Sequence, residues 1–586
     1  MYGVVWCCKV EEYTNGGGKF CAFLFSSVYK IKGYIRMSEQ KEIGGEFRVF
    51  GPPGTGKTYY LTKQTESALR KYTPSDLLIV SFTKAAAHEI ATRTAAPGMD
   101  KRVGTLHSFC FRALGQPELA ETPARIKEWN EHIKTKIPTL MIKEKGEGDD
   151  PIAQSISGKP MAAYHLLRSR MVPREQWPEQ ARTAATAWEE WKEGNDWMDF
   201  TDLIEQSLED VGAAPGHPAV GFFDEVQDFS TLELELVRKW GKSMRQTVMA
   251  GDDDQSIYGF RGATPDAFLE PDIPEERKKF LRESYRLPSV VKDYADRWIS
   301  QVRTRQPKEY KPRREGGTVN LAQNMGYRRP ERVLASICGD LDKGQDVMVL
   351  SSCAYMLTPL LSILRKEGIP FHNPYRRKDG RWNPIHPHKG AAFRLSSYLR
   401  PDPGTWEDPR LWTWGELWRW VEILNVKTTG MPKGSKTLIK KIAKNDKAAQ
   451  EIINLDLIAS LLAGDDMEKA QRLVDKIEGG GVDFFRDHVL DSHHNGALKM
   501  ALAVQHRQGG RALRETPRLC VGTIHSVKGG AADSVYLFPD LSLEGERQGQ
   551  HDPDSLTRLF YVGMTRARDK VTLCGSETGR AIRWIH

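Results

Sequence analysis

Short apolar runs spaced by stretches of helical character set the first rhythm of the chain. Phe47-Arg-Val-Phe50, Leu77-Leu-Ile-Val-Ser-Phe82, Val220-Gly-Phe-Phe223 and Gln246-Thr-Val-Met-Ala250 each read as a strand, and a helix is predicted over Lys84 to Arg93. Strands apolar on both faces and alternating with helices predict a parallel sheet, since only helices on both sides bury such runs. From about 111 to 217 the rhythm gives way to helical, Trp-bearing and loop-rich sequence, with Gly146-Glu-Gly-Asp-Asp150 as a polar loop. That stretch is predicted to be an inserted, mainly helical subdomain.

A second rhythm starts near Val319 and takes in Val347-Met-Val-Leu-Ser351 and a helix ending at Gly368-Ile-Pro370. It breaks off near Pro374 and resumes at Leu519-Cys-Val-Gly522, Ser534-Val-Tyr-Leu-Phe538 and Lys570-Val-Thr-Leu573. The block between holds Trp412-Thr-Trp-Gly-Glu-Leu-Trp-Arg-Trp420 and a Lys-rich helix predicted over Ser435 to Lys447. The expected class is therefore α/β, with two parallel-sheet domains, each interrupted by a mainly helical insertion. The expected boundaries are 37–110 with 218–285 for the first domain, 111–217 for its insertion, 286–375 with 505–586 for the second domain and 376–504 for its insertion. Residues 1–36 show no clear amphipathic period, and Met37 opens MSEQ just ahead of the first strand, so either Met37 is the start or 1–36 is a dispensable extension, with an edge strand packed on the first domain as the alternative.

Two strings carry chemistry. Gly51-Pro52-Pro53-Gly54-Thr55-Gly56-Lys57-Thr58 fits G-x-x-x-x-G-K-[ST] between a strand and a helix-permitting stretch, the context in which that pattern cradles phosphates. Its glycines let backbone N–H groups converge on an anion, Lys57 neutralises outer phosphates and Thr58 can hold Mg2+. Behind Val220 to Phe223, Asp224-Glu-Val-Gln-Asp228 places Asp224 for the metal and Glu225 for a water attacking the terminal phosphate. A nucleotide's phosphates and Mg2+ are the expected ligands.

Composition narrows the setting. A length of 586 residues allows roughly four domains. The formal charge of +8 is modest, so polyanion binding rests on local clusters such as Arg313-Arg314, Arg376 to Arg381 and Lys427 to Lys447. The eight cysteines contain no C-x-x-C pair, which points away from zinc and iron–sulfur sites and toward a reduced cytosolic setting. No apolar run is long enough to span a membrane.

Further strings, in collinear order, resemble the UvrD/Rep-type superfamily 1 helicases: Ser81-Phe-Thr-Lys-Ala-Ala-Ala87, Gly104-Thr-Leu-His-Ser-Phe109, Gly251-Asp-Asp-Asp-Gln-Ser-Ile-Tyr-Gly-Phe-Arg-Gly262, Glu283-Ser-Tyr-Arg286, Gly522-Thr-Ile-His-Ser-Val-Lys-Gly529 and Tyr561-Val-Gly-Met-Thr-Arg-Ala-Arg568. The resemblance implies two RecA-like motor domains with ATP between them and single-stranded DNA across their top, moving 3′ to 5′. It implies that Gln255 senses the terminal phosphate, that Arg286 and Arg566 reach it from the second domain, and that Tyr59 lies in the nucleotide site. For the strand it implies Thr83, Thr105, His107, Ser108 and Phe109 in the first motor, Thr523, His525 and Ser526 in the second, and Tyr258, Phe260 and Arg261 at a base-stacking loop.

Several positions depart from the family pattern. Phe260 stands where tryptophan is common, Gln40 is the candidate adenine reader although it sits closer to Lys57 than the family spacing, and Ala531 replaces a glutamate suited to the ribose, with Asp533 as a possible substitute. The second insertion looks short, and neither an extended tail nor a nuclease domain is expected after Leu573. The expected partners are single-stranded DNA and its junctions with duplex, the expected state a monomer with DNA-dependent self-association open, and the expected location the cytoplasm, on the nucleoid in a bacterial or phage setting. An RNA-directed motor and a strand-bound clearing ATPase that does not unwind are the alternatives.

Overall fold

The computed structural model describes residues 45–82, 90, 97–142, 159–374, 376, 380–386, 389–399, 411–478 and 482–585. The extension 1–36, Gln40, Thr83, the helix expected at Lys84 to Arg93 and the loop at Gly146 lie outside these residues, helical Ile90 excepted.

Two parallel sheets form the frame. The first contains β1 (Gly45–Phe50), β2 (Leu77–Ser81), β3 (Val103–Gly104), β4 (Val220–Asp224), β5 (Gln246–Gly251) and β6 (Lys278–Phe280), in the spatial order β3-β2-β4-β5-β1-β6. The second contains β7 (Thr318–Ala322), β8 (Val347–Ser351), β11 (Leu519–Thr523), β12 (Ala532–Leu537) and β13 (Ala567–Cys574), in the order β11-β8-β12-β13-β7. A two-stranded antiparallel ribbon, β9 (Leu411–Thr413) with β10 (Ile452–Asn454), lies between β8 and β11 in sequence. The central strands β2, β4, β5 and β8 are buried along their whole length, as two-sided helix cover requires. The edge strands β3 and β6 are only two and three residues long and half-buried, too short to give an apolar run in the sequence.

The described residues between β3 and β4 are mainly helical and include a core of their own. Trp129, Trp177, Trp188 and Trp191 pack there with Tyr164, and Trp129 meets Trp188 edge to face at 4.9 Å. The helices between β8 and β11 behave differently. Trp412, Trp420, Leu417 and Ile458 share one continuous core with Val347 and Val349 of β8, so this insertion is packed onto the second sheet. The Lys-rich helix runs over Ser435–Ala443, shorter than expected, anchored by buried Ile439. Among the described residues no helix is long and apolar enough to cross a membrane.

Strand order positions the site. β4, β5 and β1 are neighbours, so the loops leaving their carboxyl ends, at Asp224, Gly251 and Phe50, converge on one crevice, the place where parallel sheets take ligands.

Candidate nucleotide cleft and nucleic-acid face

The phosphate loop leaves β1 at Gly51, whose N–H donates to the Gly251 carbonyl at 3.0 Å. Gly54 and Gly56 have φ of 74° and 76°, a left-handed backbone that glycine adopts without a Cβ clash. A Cβ on Gly51 would stand 2.1 Å from Lys57 Cγ, and one on Gly54 would stand 2.5 Å from Arg286 Cβ. The loop therefore wraps the Lys57 stem closely and lets the second domain approach. Lys57 Nζ donates to the Gly51 carbonyl at 3.0 Å, curling over its own loop, and Thr55 Oγ1 donates to the Pro52 carbonyl at 2.8 Å. Tyr59 is exposed one turn into the following helix, Lys57–Ala68.

Thr58 Oγ1 donates to Asp224 Oδ2 at 2.8 Å. A hydroxyl and a carboxylate meeting beside a phosphate loop are the hard oxygen donors that Mg2+ takes, so the residues present fit that ion. Burial and the adjacent Glu225 charge push the Asp224 carboxyl up, to about 7. Burial also pushes Glu225 up, but Lys57, Lys528, the Gln227 hydrogen bond and Arg566 outweigh it and hold that carboxylate well below its usual range. Glu225 has φ of 55°, a left-handed position for a non-glycine residue, where the chain turns sharply off β4.

The second sheet closes the cleft. Arg566 Nη2 donates to Gln255 Oε1 at 2.9 Å, while Gln255 Nε2 donates to Asp252 Oδ2 at 2.6 Å. Arg286 Nη1 donates to the Thr565 carbonyl at 3.1 Å, which sets the two arginines side by side. Lys57, Thr58, Asp224, Glu225, Gln255, Arg286 and Arg566 thus come together from positions 57 to 566.

Other groups here carry no role in the sequence reading. Lys528 forms an ion pair with Asp228 across the cleft and donates to the Gln255 carbonyl at 2.8 Å. Lys308 Nζ reaches Asp253 Oδ1 at 2.6 Å and Arg305 Nη2 reaches Asp254 Oδ2 at 2.6 Å, neutralising the buried acidic run before Gln255. Tyr285 is 69% exposed beside the phosphate loop, its N–H donating to the Gly54 carbonyl at 2.8 Å. An exposed aromatic one residue before Arg286 was the signal available for it. Asp533 does not turn toward the cleft: Oδ2 accepts from the Asp346 N–H at 2.9 Å and Oδ1 lies 3.4 Å from Arg568. Ala531 follows Gly530, whose carbonyl lies 3.4 Å from Arg566 Nη1, so position 531 borders the cleft with no acceptor in its side chain.

Tyr258, Phe260 and Arg261, expected at the base-stacking loop, lie on one loop after β5. Tyr258 packs against Phe82, Phe260 and His525 at ring distances of 5.1, 5.8 and 6.0 Å, and Arg261 lies over the Phe82 ring at 5.0 Å. Thr105, His107 and Ser108 are half-buried at the start of the helix Leu106–Ala113. Ser108 Oγ donates to the Thr105 carbonyl at 2.7 Å, and His107 Nδ1 lies 3.5 Å from Glu233. Ser526 is half-buried and its Oγ donates to the Thr523 carbonyl at 2.9 Å.

Three residues expected at the strand have buried side chains. Phe109 is 1% exposed and belongs to the core of the first sheet, and Thr523 is 0% exposed at the end of β11, its hydroxyl accepting from the Ser526 N–H at 3.3 Å. His525 is 6% exposed beneath Tyr258 and Phe260, with Nε2 at 3.2 Å from the Ile257 carbonyl. Burial brings its imidazole down to about 4, so it is neutral and has no charge to offer a phosphate. Of the three, His525 packs directly against the Tyr258 and Phe260 rings, at 6.0 and 5.6 Å.

The sequence profile of the UvrD/REP helicase N-terminal domain matches residues 36–273, and that of the UvrD-like helicase C-terminal domain matches 518–574. The chain is similar to the ATP-dependent DNA helicase PcrA of Staphylococcus aureus (strain MRSA252), 22% identical over 621 aligned residues that cover 90% of this chain and 81% of that protein. It is similar to the putative ATP-dependent DNA helicase YjcD of Bacillus subtilis (strain 168), 24% identical over 298 residues, covering 47% of this chain and 39% of that one. It is also similar to PcrA of Staphylococcus epidermidis, 25% identical over 307 residues, covering 48% and 42%. The chain therefore spans about two fifths of YjcD and of the S. epidermidis protein. The first profile covers β1 to β5 of the first sheet and the second covers β11 to β13 of the second, and the chain belongs to the UvrD/Rep-type superfamily 1 helicases.

Proposed function

We propose that this chain is an ATP-dependent DNA helicase and translocase that moves 3′ to 5′ on single strands and opens duplex ahead of it. The observation that carries the reading is the Arg566–Gln255 contact, which joins the segment entering β13 of the second sheet to the turn that follows β5 of the first. In this reading Lys57 and the loop N–H groups bind the phosphates, Thr58 and Asp224 hold Mg2+, and Glu225 takes the proton of the attacking water. Bound Mg2+ supplies neutralisation of the phosphate oxygens. Arg286 and Arg566 fork onto the transferred group when the cleft closes, and Gln255 links that contact to the loop bearing Tyr258 and Phe260. Tyr285 offers the base a stacking face. The two motor domains are 37–110 with 218–285 and 286–375 with 505–586, the insertions are 111–217 and 376–504, and the protein works as a monomer in the cytoplasm on single strands and their junctions.

Strand displacement on duplexes with a 3′ or a 5′ tail tests this. Displacement of the 3′-tailed substrate alone is expected. ATPase stimulation without displacement of either would favour the clearing ATPase, and equal stimulation by single-stranded RNA would favour the RNA-directed motor.

Two further outcomes follow from the cleft. Phe260→Ala is expected to lower unwinding more than basal ATPase, since base stacking holds the strand at about 1 to 3 kcal/mol per base and does not hold the nucleotide. Equal losses would make Phe260 a packing residue under the loop. Ala531→Glu is expected to tighten ATP binding by roughly tenfold, the worth of a hydrogen bond to a charged acceptor, because neither Ala531 nor the engaged Asp533 supplies one. Nucleotide titration of both forms checks it, and unchanged or weaker binding would mean the ribose is held elsewhere.

A further inference from the structure

Gln227 is fully buried two residues beyond Glu225, in the 3-10 turn Val226–Asp228 that follows β4. A buried amide is costly unless both ends are paired, and here both are. Nε2 donates to Glu225 Oε2 at 2.5 Å, and Oε1 accepts from the Asp252 N–H at 2.9 Å. The backbone carbonyl of Gln227 accepts from Ser256 Oγ at 2.9 Å. The amide cannot flip, because a carboxylate only accepts and a backbone N–H only donates. Gly251 makes room for it: a Cβ there would stand 2.8 Å from Gln227 Oε1. Asp252 in turn accepts from Gln255, which accepts from Arg566. A continuous line of hydrogen bonds therefore runs from Arg566 through Gln255, Asp252 and Gln227 to Glu225.

We propose that Gln227 is a positioning residue that aims the Glu225 carboxylate and ties its orientation to the segment contacted by Arg566. This rests on the role given to Glu225 above. Other groups could fill the volume, but only a primary amide of this length donates to Glu225 and accepts from Asp252 at once. Gln227→Met keeps the shape and removes both bonds. Gln227→Glu keeps the acceptor for Asp252 and sets a carboxylate against Glu225.

The test is steady-state and single-turnover ATPase of the full chain on single-stranded DNA, with nucleotide titration, for both variants and for Gln227→Met combined with Glu225→Gln. Both single variants are expected to lose about tenfold or more in kcat with KM and nucleotide affinity within about twofold. In the Glu225→Gln background Gln227→Met is expected to cost nothing further, because the carboxylate it aims is gone. Full additivity in the double variant, or a raised KM with kcat intact, overturns the proposal, and Gln227→Glu carries the test if Gln227→Met fails to fold. Parent-like hydrolysis by Glu225→Gln alone would instead remove the reading of Glu225. Silent Gln227 variants beside an inactive Glu225→Gln would overturn only the positioning role.

Discussion

Arg566→Ala is expected to lower DNA-stimulated ATP hydrolysis by about 10³-fold or more while ATP binding changes far less. A guanidinium brought to the transferring phosphoryl group from a second domain stabilises charge that develops in the transition state, and such groups contribute about 10³ to 10⁵ in rate. Arg566 is buried and already oriented, with Nε donating to the Val562 carbonyl at 2.9 Å and Nη2 donating to Gln255. Little reorganisation is left for the reaction step. Arg566→Lys keeps the charge and loses the fork, so it is expected to recover only a small part of the rate. Thermal unfolding alongside separates lost chemistry from lost packing. A folded alanine variant turning over within tenfold of the parent would place Arg566 in the interface and outside the reaction.

Glu225→Gln is expected to bind ATP as the parent does and to hydrolyse it at least about a hundredfold more slowly, the usual worth of a positioned base. The substitution preserves volume and the acceptor that Gln227 Nε2 meets at 2.5 Å, so the turn off β4 should survive. What is lost is the ability to accept the proton of the attacking water. Nucleotide titration and single-turnover hydrolysis measure the two effects separately. Loss of binding together with hydrolysis would show that Glu225 shapes the turn and is no base.

The phosphate loop and the acidic strand end were legible in the sequence because each is a local backbone requirement; for the loop this is a strand, a left-handed turn at Gly54 and Gly56, and a helix start, all between Gly45 and Lys57. The edge strands β3 and β6 were not, since two or three half-buried residues make no periodic signal. Motif membership also overstated surface contact. Phe109, Thr523 and His525 sit in the strings that resemble the family's strand-contacting motifs, yet their side chains are buried, because burial depends on packing partners far away in sequence.

Sequence alone determined the class of the fold, the α/β alternation and the residue types that can bind phosphate, because these depend on neighbours a few positions away. Tertiary structure decided which side chains meet. Lys528 and Asp228 stand 300 residues apart, and Arg566 and Gln255 stand 311 apart. No spacing rule pairs them; the order β4-β5-β1 and the seating of the second sheet opposite do. The same packing turned Asp533 toward Asp346 and Arg568. Long-range pairing is settled by burial and complementary charge at an interface, which local sequence does not encode.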